Sequence, residues 1–387
     1  MGSLYAGYQD MIYRSGLEGS PPPFTTDHSR LEQAARAVMA PQAYDYIAGA
    51  AGSEATTRAN RAAFNGHRLV PRVLRNVAER DLSVELLGQR LPAPLLLAPI
   101  GVLGLAHPDG ETAVARAAEE TGVPLVLSTA ASHSIEEVAA AAPRARRWFQ
   151  LYWPDDTELT LSLLERAAAN KYETLVVTLD AFALAWRPRD LDTGYLPFMR
   201  LHGLANYLTD PVFRKLLPKP PETDPAGAVQ RWSRLFNDAS RTWANVAFLR
   251  EHWHGPLVLK GICHPHDAHA AVEAGADAIV VSNHGGRQID GGIAALDALE
   301  TVVEAVGHRT TVLFDSGVRT GSDVVKALAL GARAVLLGRP YVYGLALGGA
   351  AGVAHVLRGL LADLDLTLAM TGHRTPAALD PSVLNRV

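Results

Sequence analysis

Eight short apolar runs punctuate the chain, at 94–99, 124–128, 148–151, 174–179, 257–260, 278–281, 311–314 and 334–337. Each is hydrophobic throughout, with no alternation of apolar and polar positions, the pattern of parallel strands buried on both faces. Between them lie segments of helical spacing, such as 110–122, 134–142, 266–276 and 321–332, several of which end on glycine, a usual helix stop. Strand alternating with helix eight times predicts an α/β fold, a closed parallel (β/α)8 TIM barrel. The same alternation is also compatible with an open doubly wound sheet.

The barrel is expected over 91–375. Residues 1–90 are expected to form a helical extension packed on it, with 28–49 reading as one helix up to its glycine, and 376–387 a C-terminal tail. After the fourth run the alternation stops between 188 and 245, in a stretch rich in proline and mixed charge where a simple barrel needs only a short loop. Loops of that length in compact domains are either functional or disordered. Tyr195, Phe198, Tyr207 and Phe213 favour order, so the segment reads as a lid insertion.

A length of 387 residues suits one barrel with insertions, and 48% hydrophobic with 20% charged residues suits a soluble packed core. A formal charge of −4 provides no broad basic field, which argues against nucleic acid or an anionic membrane as partner. The single cysteine, Cys263, excludes an internal disulfide and a multi-cysteine metal site and fits a reducing compartment. The opening residues lack a basic segment followed by an apolar one, and the apolar stretch 91–106 is short and carries three prolines, so the expected location is cytoplasmic.

Barrel enzymes place their chemistry at the C-terminal ends of the strands, and phosphate usually sits after the last two. Here Asp315, Gly317 and Arg319 follow the seventh run, and Gly338 and Arg339 follow the eighth. Glycine lets backbone N–H groups approach an anion, and arginine offers a forked charge to phosphate oxygens. The sixth run ends in SNHGGRQ (282–288), where His284 has the chemistry to take a proton near neutral pH and Arg287 to clamp a carboxylate. The plainer reading is a hydrogen-bonded loop histidine beside a surface arginine. Asp180, at the end of the fourth run, is placed to orient a histidine; Arg187 and Arg189 are equally good second clamps by spacing, or parts of a surface ion-pair cluster. Lys260 closes the fifth run as either a Schiff-base nucleophile or a fixed cation beside an electron-rich cofactor. Gln150 and Tyr152 flank the end of the third run. No GxGxxG opens a helix after the first strand, and no P-loop, HExxH or GxSxG motif is present.

Taken together, SNHGGRQ, DSGVRTG, LGRP, the APIG strand end, FQLYW and YDYIAG resemble the FMN-dependent L-2-hydroxy acid oxidase and dehydrogenase family over roughly residues 30–375. Within it, GYQDMIYRSGL, RDLSVEL, WRPRDL, NYLTDPVFRK and the long insertion are most similar to the lactate 2-monooxygenase branch. The resemblance implies His284 as active-site base supported by Asp180, Arg287 and Arg187 as carboxylate clamps, and Tyr46 and Tyr152 as hydrogen-bond donors to substrate. It implies Lys260 beside the flavin, which speaks against the Schiff base. Ile100, Gly101, Ser128, Gln150, Thr178 and Ser282 would contact the ring or ribityl chain. Asp315, Gly317, Arg319, Gly338 and Arg339 would hold ribityl and phosphate. The implied partners are a small 2-hydroxy acid and O2, with no metal and a homotetrameric or octameric assembly.

Gly101 stands where oxidase relatives carry alanine and the monooxygenase branch glycine, which favours oxidative decarboxylation. Ala130 and DAFALAW (180–186) replace bulkier residues, implying room for acids larger than lactate. The rivals are an oxidase releasing H2O2, a dehydrogenase with another acceptor, a flavin-binding relative without turnover, and an aldolase using Lys260.

Overall fold

All eight apolar runs form strands in the computed structural model, which describes residues 5–236 and 239–387. Residues 1–4 of the extension and 237–238 of the insertion lie outside the described residues. The strands are β1 (Leu95–Leu97), β2 (Leu125–Ser128), β3 (Arg147–Leu151), β4 (Thr174–Thr178), β5 (Leu257–Ile262), β6 (Ala278–Val281), β7 (Thr311–Phe314) and β8 (Ala334–Leu337). They pair in parallel in sequence order, and β8 returns to β1 with Val335 opposite Leu95, so the sheet is a closed barrel and not an open one.

Burial on both faces explains the unbroken hydrophobicity. Leu96, Val126, Trp148, Val176, Val258, Val280, Leu313 and Leu336 pack with one another as an inner cluster. Their neighbours along each strand, such as Leu97, Leu127 and Phe149, belong to a second cluster shared with the surrounding helices. Val84, Leu86 and Leu91, on the hairpin that leads into β1, join the inner cluster and plug the end of the barrel where the strands begin.

The segment 28–49 is two helices rather than one. His28–Val38 is capped by the Asp27 carboxylate, which accepts from the Ser29 and Arg30 N–H groups. Met39 and Ala40 are then extended, and Pro41 opens the second helix, Pro41–Ala48. Proline clashes with a helical residue before it and has no N–H to continue the ladder, so it serves here as a starter.

The insertion is ordered by similar means. Its helices Pro188–Asp192, Pro211–Lys215 and Pro225–Phe236 all begin with proline, and Tyr195, Phe198, Tyr207 and Phe213 are all buried. Fully buried Asn206 donates to the Ser128 and Thr129 carbonyls and accepts from the Ile135 N–H, tying the insertion to the loop after β2.

Helix Ala55–Asn65 of the extension meets the loop after β6 through a reciprocal amide pair, Asn60 with Asn283, at 2.8 and 2.7 Å. The last helix, Arg339–Met370, is long and apolar enough to cross a membrane by length and composition, but 61% of its apolar window is buried and Gly348 and Gly349 interrupt it. It is built as a core helix. The tail strand Leu384–Arg386 pairs antiparallel with His67–Leu69.

Candidate active site

The C-terminal ends of the strands surround a cavity of about 1150 Å3, including its mouth. Arg319 and Arg339 stand at one end of it. Arg339 donates from all three guanidinium nitrogens to backbone carbonyls, those of Ile47 (3.1 Å), Gly285 (3.0 Å) and Gly49 (3.0 Å), and Arg319 donates to the Val318 carbonyl at 2.9 Å. No carboxylate pairs with either among the described residues. The nearby acid, Asp323, accepts from Arg61 and from the Arg319 and Thr320 N–H groups. Burial pulls Arg339 down to about 10 and lowers Arg319 as well. Two partly buried guanidinium groups with no carboxylate in ion-pair contact among the described residues leave charge for a phosphate to take up. Gly317, at φ +94°, passes so close to helix Ala55–Asn65 that a Cβ there would lie 2.9 Å from the Asn60 carbonyl.

Lys260, on β5, is almost wholly buried; its Nζ lies 3.2 Å from the Asp315 carboxylate and donates to Ser282 Oγ at 2.9 Å. Burial opposes the charge, but Asp315 and then Asp180 outweigh it, so the ammonium is held above its ordinary pKa. A protonated, ion-paired amine is not a nucleophile, and the Schiff-base alternative falls. Ser128, Gln150, Thr178 and Ser282 do not line the cavity; they sit at the strand ends behind its wall. Gln150 Oε1 accepts from Ser128 Oγ at 2.8 Å, while its buried Nε2 has no partner among the described residues. That spare donor fits a ring system rich in acceptors such as a flavin.

His284 adopts φ +57°, a strained conformation for a side chain with Cβ, of the kind that clusters at functional sites. Its Nδ1 is 2.9 Å from Asp180 Oδ1. With Nδ1–H donated to the carboxylate, Nε2 is left as the acceptor. Burial lowers the His284 pKa against the pull of Asp180, so the imidazole is neutral. For Asp180, burial works toward a higher pKa, but His284 and Lys260 hold it below the ordinary carboxylate range. The resting pair is a carboxylate and a neutral base.

Arg187, Arg287, Tyr46 and Tyr152 all face the same space. Arg187 Nε donates to the Arg287 carbonyl at 3.1 Å, and Arg287 Nη1 to the carbonyls of Tyr46 (2.6 Å) and Gly49 (2.8 Å), its guanidinium 5.1 Å from the Tyr46 ring centre. Burial and then Arg287 pull Arg187 down to about 10. Burial pushes the Tyr152 phenol up to about 12, which keeps it a donor. Spacing left Arg187 and Arg189 equal; the structure separates them. Arg189 bonds Glu54 at 2.7 Å and faces Asp45, away from this cavity.

Of the residues expected at the site, Tyr46, Ile100, Gly101, Ala130, Tyr152, Arg187, Lys260, His284, Arg287, Asp315, Gly317, Arg319, Gly338 and Arg339 line the cavity, and Asp180 backs it. A Cβ on Gly101 would lie 2.7 Å from the Ala130 carbonyl, so packing alone demands glycine there. The stretch 180–186, expected to leave room for substrate, does border the cavity through Ala181, Ala183 and Leu184, whereas sequence reasoning missed Phe198 and Phe236 of the insertion as lining groups, and Ser316. Ser316 Oγ donates to Asp315 and accepts from the Gly285 N–H. Only Ser316 carried a signal, its place inside DSGVR.

The family described as FMN-dependent dehydrogenase matches residues 35–386. An FMN-dependent α-hydroxy acid dehydrogenase of Penicillium citrinum is 50% identical over 99% of this chain and 96% of its own length. An L-lactate oxidase of Lysinibacillus sphaericus is 41% identical over 90% of each chain. The crystal structure of a mandelate oxidase superimposes with a TM-score of 0.82 at 38% identity, covering 94% of this chain and 98% of that one.

Proposed function

Since the chain belongs to the FMN-dependent dehydrogenase family, we propose that it oxidises L-2-hydroxy acids with apolar side chains larger than lactate's methyl group to 2-keto acids, with O2 as acceptor. The observation that carries the reading is a carboxylate-backed imidazole facing the same cavity as two guanidinium groups, which is what a hydroxy acid requires: a base for its proton and a clamp for its carboxylate.

Arg187 and Arg287 orient the carboxylate. Tyr152 donates to the substrate oxygen, and His284 Nε2 takes the proton. Arg319 and Arg339 would hold FMN by its phosphate, and the bound cofactor would supply the two-electron redox chemistry that the protein's own side chains lack. Lys260 supplies a fixed positive charge in the cavity wall, with Gln150 Nε2 as a donor behind it. The small residues Ala130, Ala181 and Ala183 leave space, and Phe198 and Phe236 line it with aromatic rings, which suits a bulky apolar substituent.

A second reading is oxidative decarboxylation of the lactate 2-monooxygenase kind. It is favoured by the insertion folded against the cavity, where Phe198 and Phe236 form one cluster with Trp232, their ring centres 4.7 and 4.9 Å from its own. A roof of this kind retains keto acid and peroxide together. A cytoplasmic homo-oligomer completes the proposal.

The test is stopped-flow bleaching of the flavin without O2 across lactate, 2-hydroxybutyrate, 2-hydroxyhexanoate and mandelate, followed by keto acid, peroxide and CO2 counted per O2. Rates rising with side-chain size are expected. A steady fall from lactate to mandelate sinks the larger-acid reading, CO2 in step with O2 selects the second, and no bleaching by any acid rejects turnover.

A further inference from the structure

Gln288 closes the SNHGGRQ motif, yet nothing above gives it work. Its amide makes three hydrogen bonds: Oε1 accepts from Arg187 Nη2 at 2.8 Å, and Nε2 donates to the Asp180 carbonyl at 2.7 Å and the Ala183 carbonyl at 3.3 Å. The partners fix the orientation of the amide, because a guanidinium only donates and a carbonyl only accepts.

Each partner serves a different part of the site: Asp180 carries the carboxylate that holds His284, Arg187 is the clamp, and Ala183 belongs to the side-chain wall. The loop between Asp180 and Arg187 is otherwise lightly held. Phe182, Leu184 and Trp186 are exposed, and the Trp186 carbonyl accepts from the Gly52 N–H at 2.9 Å. With Nη2 of Arg187 taken by Gln288 and Nε by the Arg287 carbonyl, Nη1 makes no hydrogen bond to the described residues.

We propose that Gln288 is a positioning residue that locks the carboxylate clamp Arg187, the backbone of Asp180 and the cavity wall at Ala183 into one arrangement, leaving the free edge of the Arg187 guanidinium aimed at substrate. The inference rests on the hydroxy acid reading of the site. Gln288 itself borders the cavity, and without this latch the clamp and wall drift apart from the base, so alignment suffers.

Two near-isosteric variants divide its functions. Gln288→Met removes all three hydrogen bonds. Gln288→Glu keeps the acceptor for Arg187 but sets a carboxylate against two carbonyls. With the protein loaded with FMN, Q288M is expected to weaken binding of oxalate, followed by the flavin absorbance change, by roughly 10-fold or more, and to raise KM alongside, the scale of losing a charge-assisted hydrogen bond. Q288E is expected to keep oxalate affinity within about twofold, to lose kcat, and to discriminate less between lactate and mandelate. A role in stability alone would lower the melting temperature of both variants and leave oxalate affinity and discrimination unchanged, which overturns the proposal. So does a Q288M that binds oxalate as tightly as the parent. Should Q288M not retain FMN, Q288E with unchanged discrimination is the overturning result. A parent protein that no acid reduces marks instead a failure of the hydroxy acid reading.

Discussion

The two ends of the cavity are built by opposite means. At β7 and β8, the groups are held mainly by backbone: Arg339 by three carbonyls, Gly317 against the Asn60 carbonyl, and Ser316 between Asp315 and the Gly285 N–H. Along the loop after β4, the wall consists of Ala181, Ala183 and Leu184 with exposed Phe182 and Trp186 beside them, and few hydrogen bonds hold it. The contrast teaches a division of labour. A cofactor common to a family needs one rigid seat, whereas the substrate side chain meets a surface that changes without disturbing that seat.

His284 lies between the two ends, and removing it gives the largest expected effect. His284→Asn should lower kcat by about 10²- to 10⁴-fold, the usual worth of a positioned base, while FMN content stays unchanged. The base must be neutral to work, and burial places its pKa below the ordinary 6.5. A kcat/KM profile should therefore stay flat through neutral pH and fall only as the pH drops through that depressed value. Asp180 pulls in the opposite direction, so Asp180→Asn should move the acid limb further toward acid as well as slowing turnover. A limb moving toward alkali would contradict the pairing of the two groups.

Arg339→Met tests the rigid end. Loss of one charged donor set should weaken FMN binding by roughly 10- to 100-fold, read by fluorescence titration of the apoprotein, and leave the ranking of acids untouched once FMN is saturating. A changed ranking would mean that the two ends are coupled.

The same contrast explains what the sequence made legible. The eight strands fall within one to two residues of the apolar runs, because burial on both faces writes an unbroken signal. The phosphate end was equally readable: glycine and arginine at the ends of consecutive strands carry their chemistry in their identity. The β4 wall was legible only through the resemblance, which marks 180–186 as a stretch of small residues, since alanine and leucine by themselves look alike in a pocket or a core; the inward placement of Phe198 and Phe236 depends on how the insertion folds. The single helix expected over 28–49 failed at Pro41, where a helix starter was read as part of a continuing helix. Asn60, which ties the extension to the His284 loop from 223 residues away, had no local signature at all.

The adjustable wall calls for a smaller, selective change. Ala130 lines the cavity and packs against Gly101. Ala181→Leu fills space without that conflict, and should lower kcat/KM for mandelate relative to lactate by about 10-fold, the scale of one or two misplaced methylenes in an apolar pocket. An equal loss for both acids would place Ala181 outside the substrate's reach.

The smallest effect is expected from the arginine two positions beyond the clamp. Arg187 and Arg189 share charge, neighbourhood and a proline between them, so spacing could not choose. The fold chooses because Pro188 starts a helix: Arg187, still extended at φ −114°, turns inward, whereas Arg189 lies in the first turn and reaches the Glu54 carboxylate at 2.7 Å. That pair is partly exposed, so its loss should cost ~0–1 kcal/mol of stability. Arg189→Ala should accordingly keep kcat and KM within about twofold, while Arg187→Ala, measured beside it, should raise KM by on the order of 10-fold or more through the lost carboxylate contact. Comparable losses in both would mean that the helix begun by Pro188 does not separate the two guanidinium groups, and the assignment of the clamp would have to be redrawn around Arg287 alone.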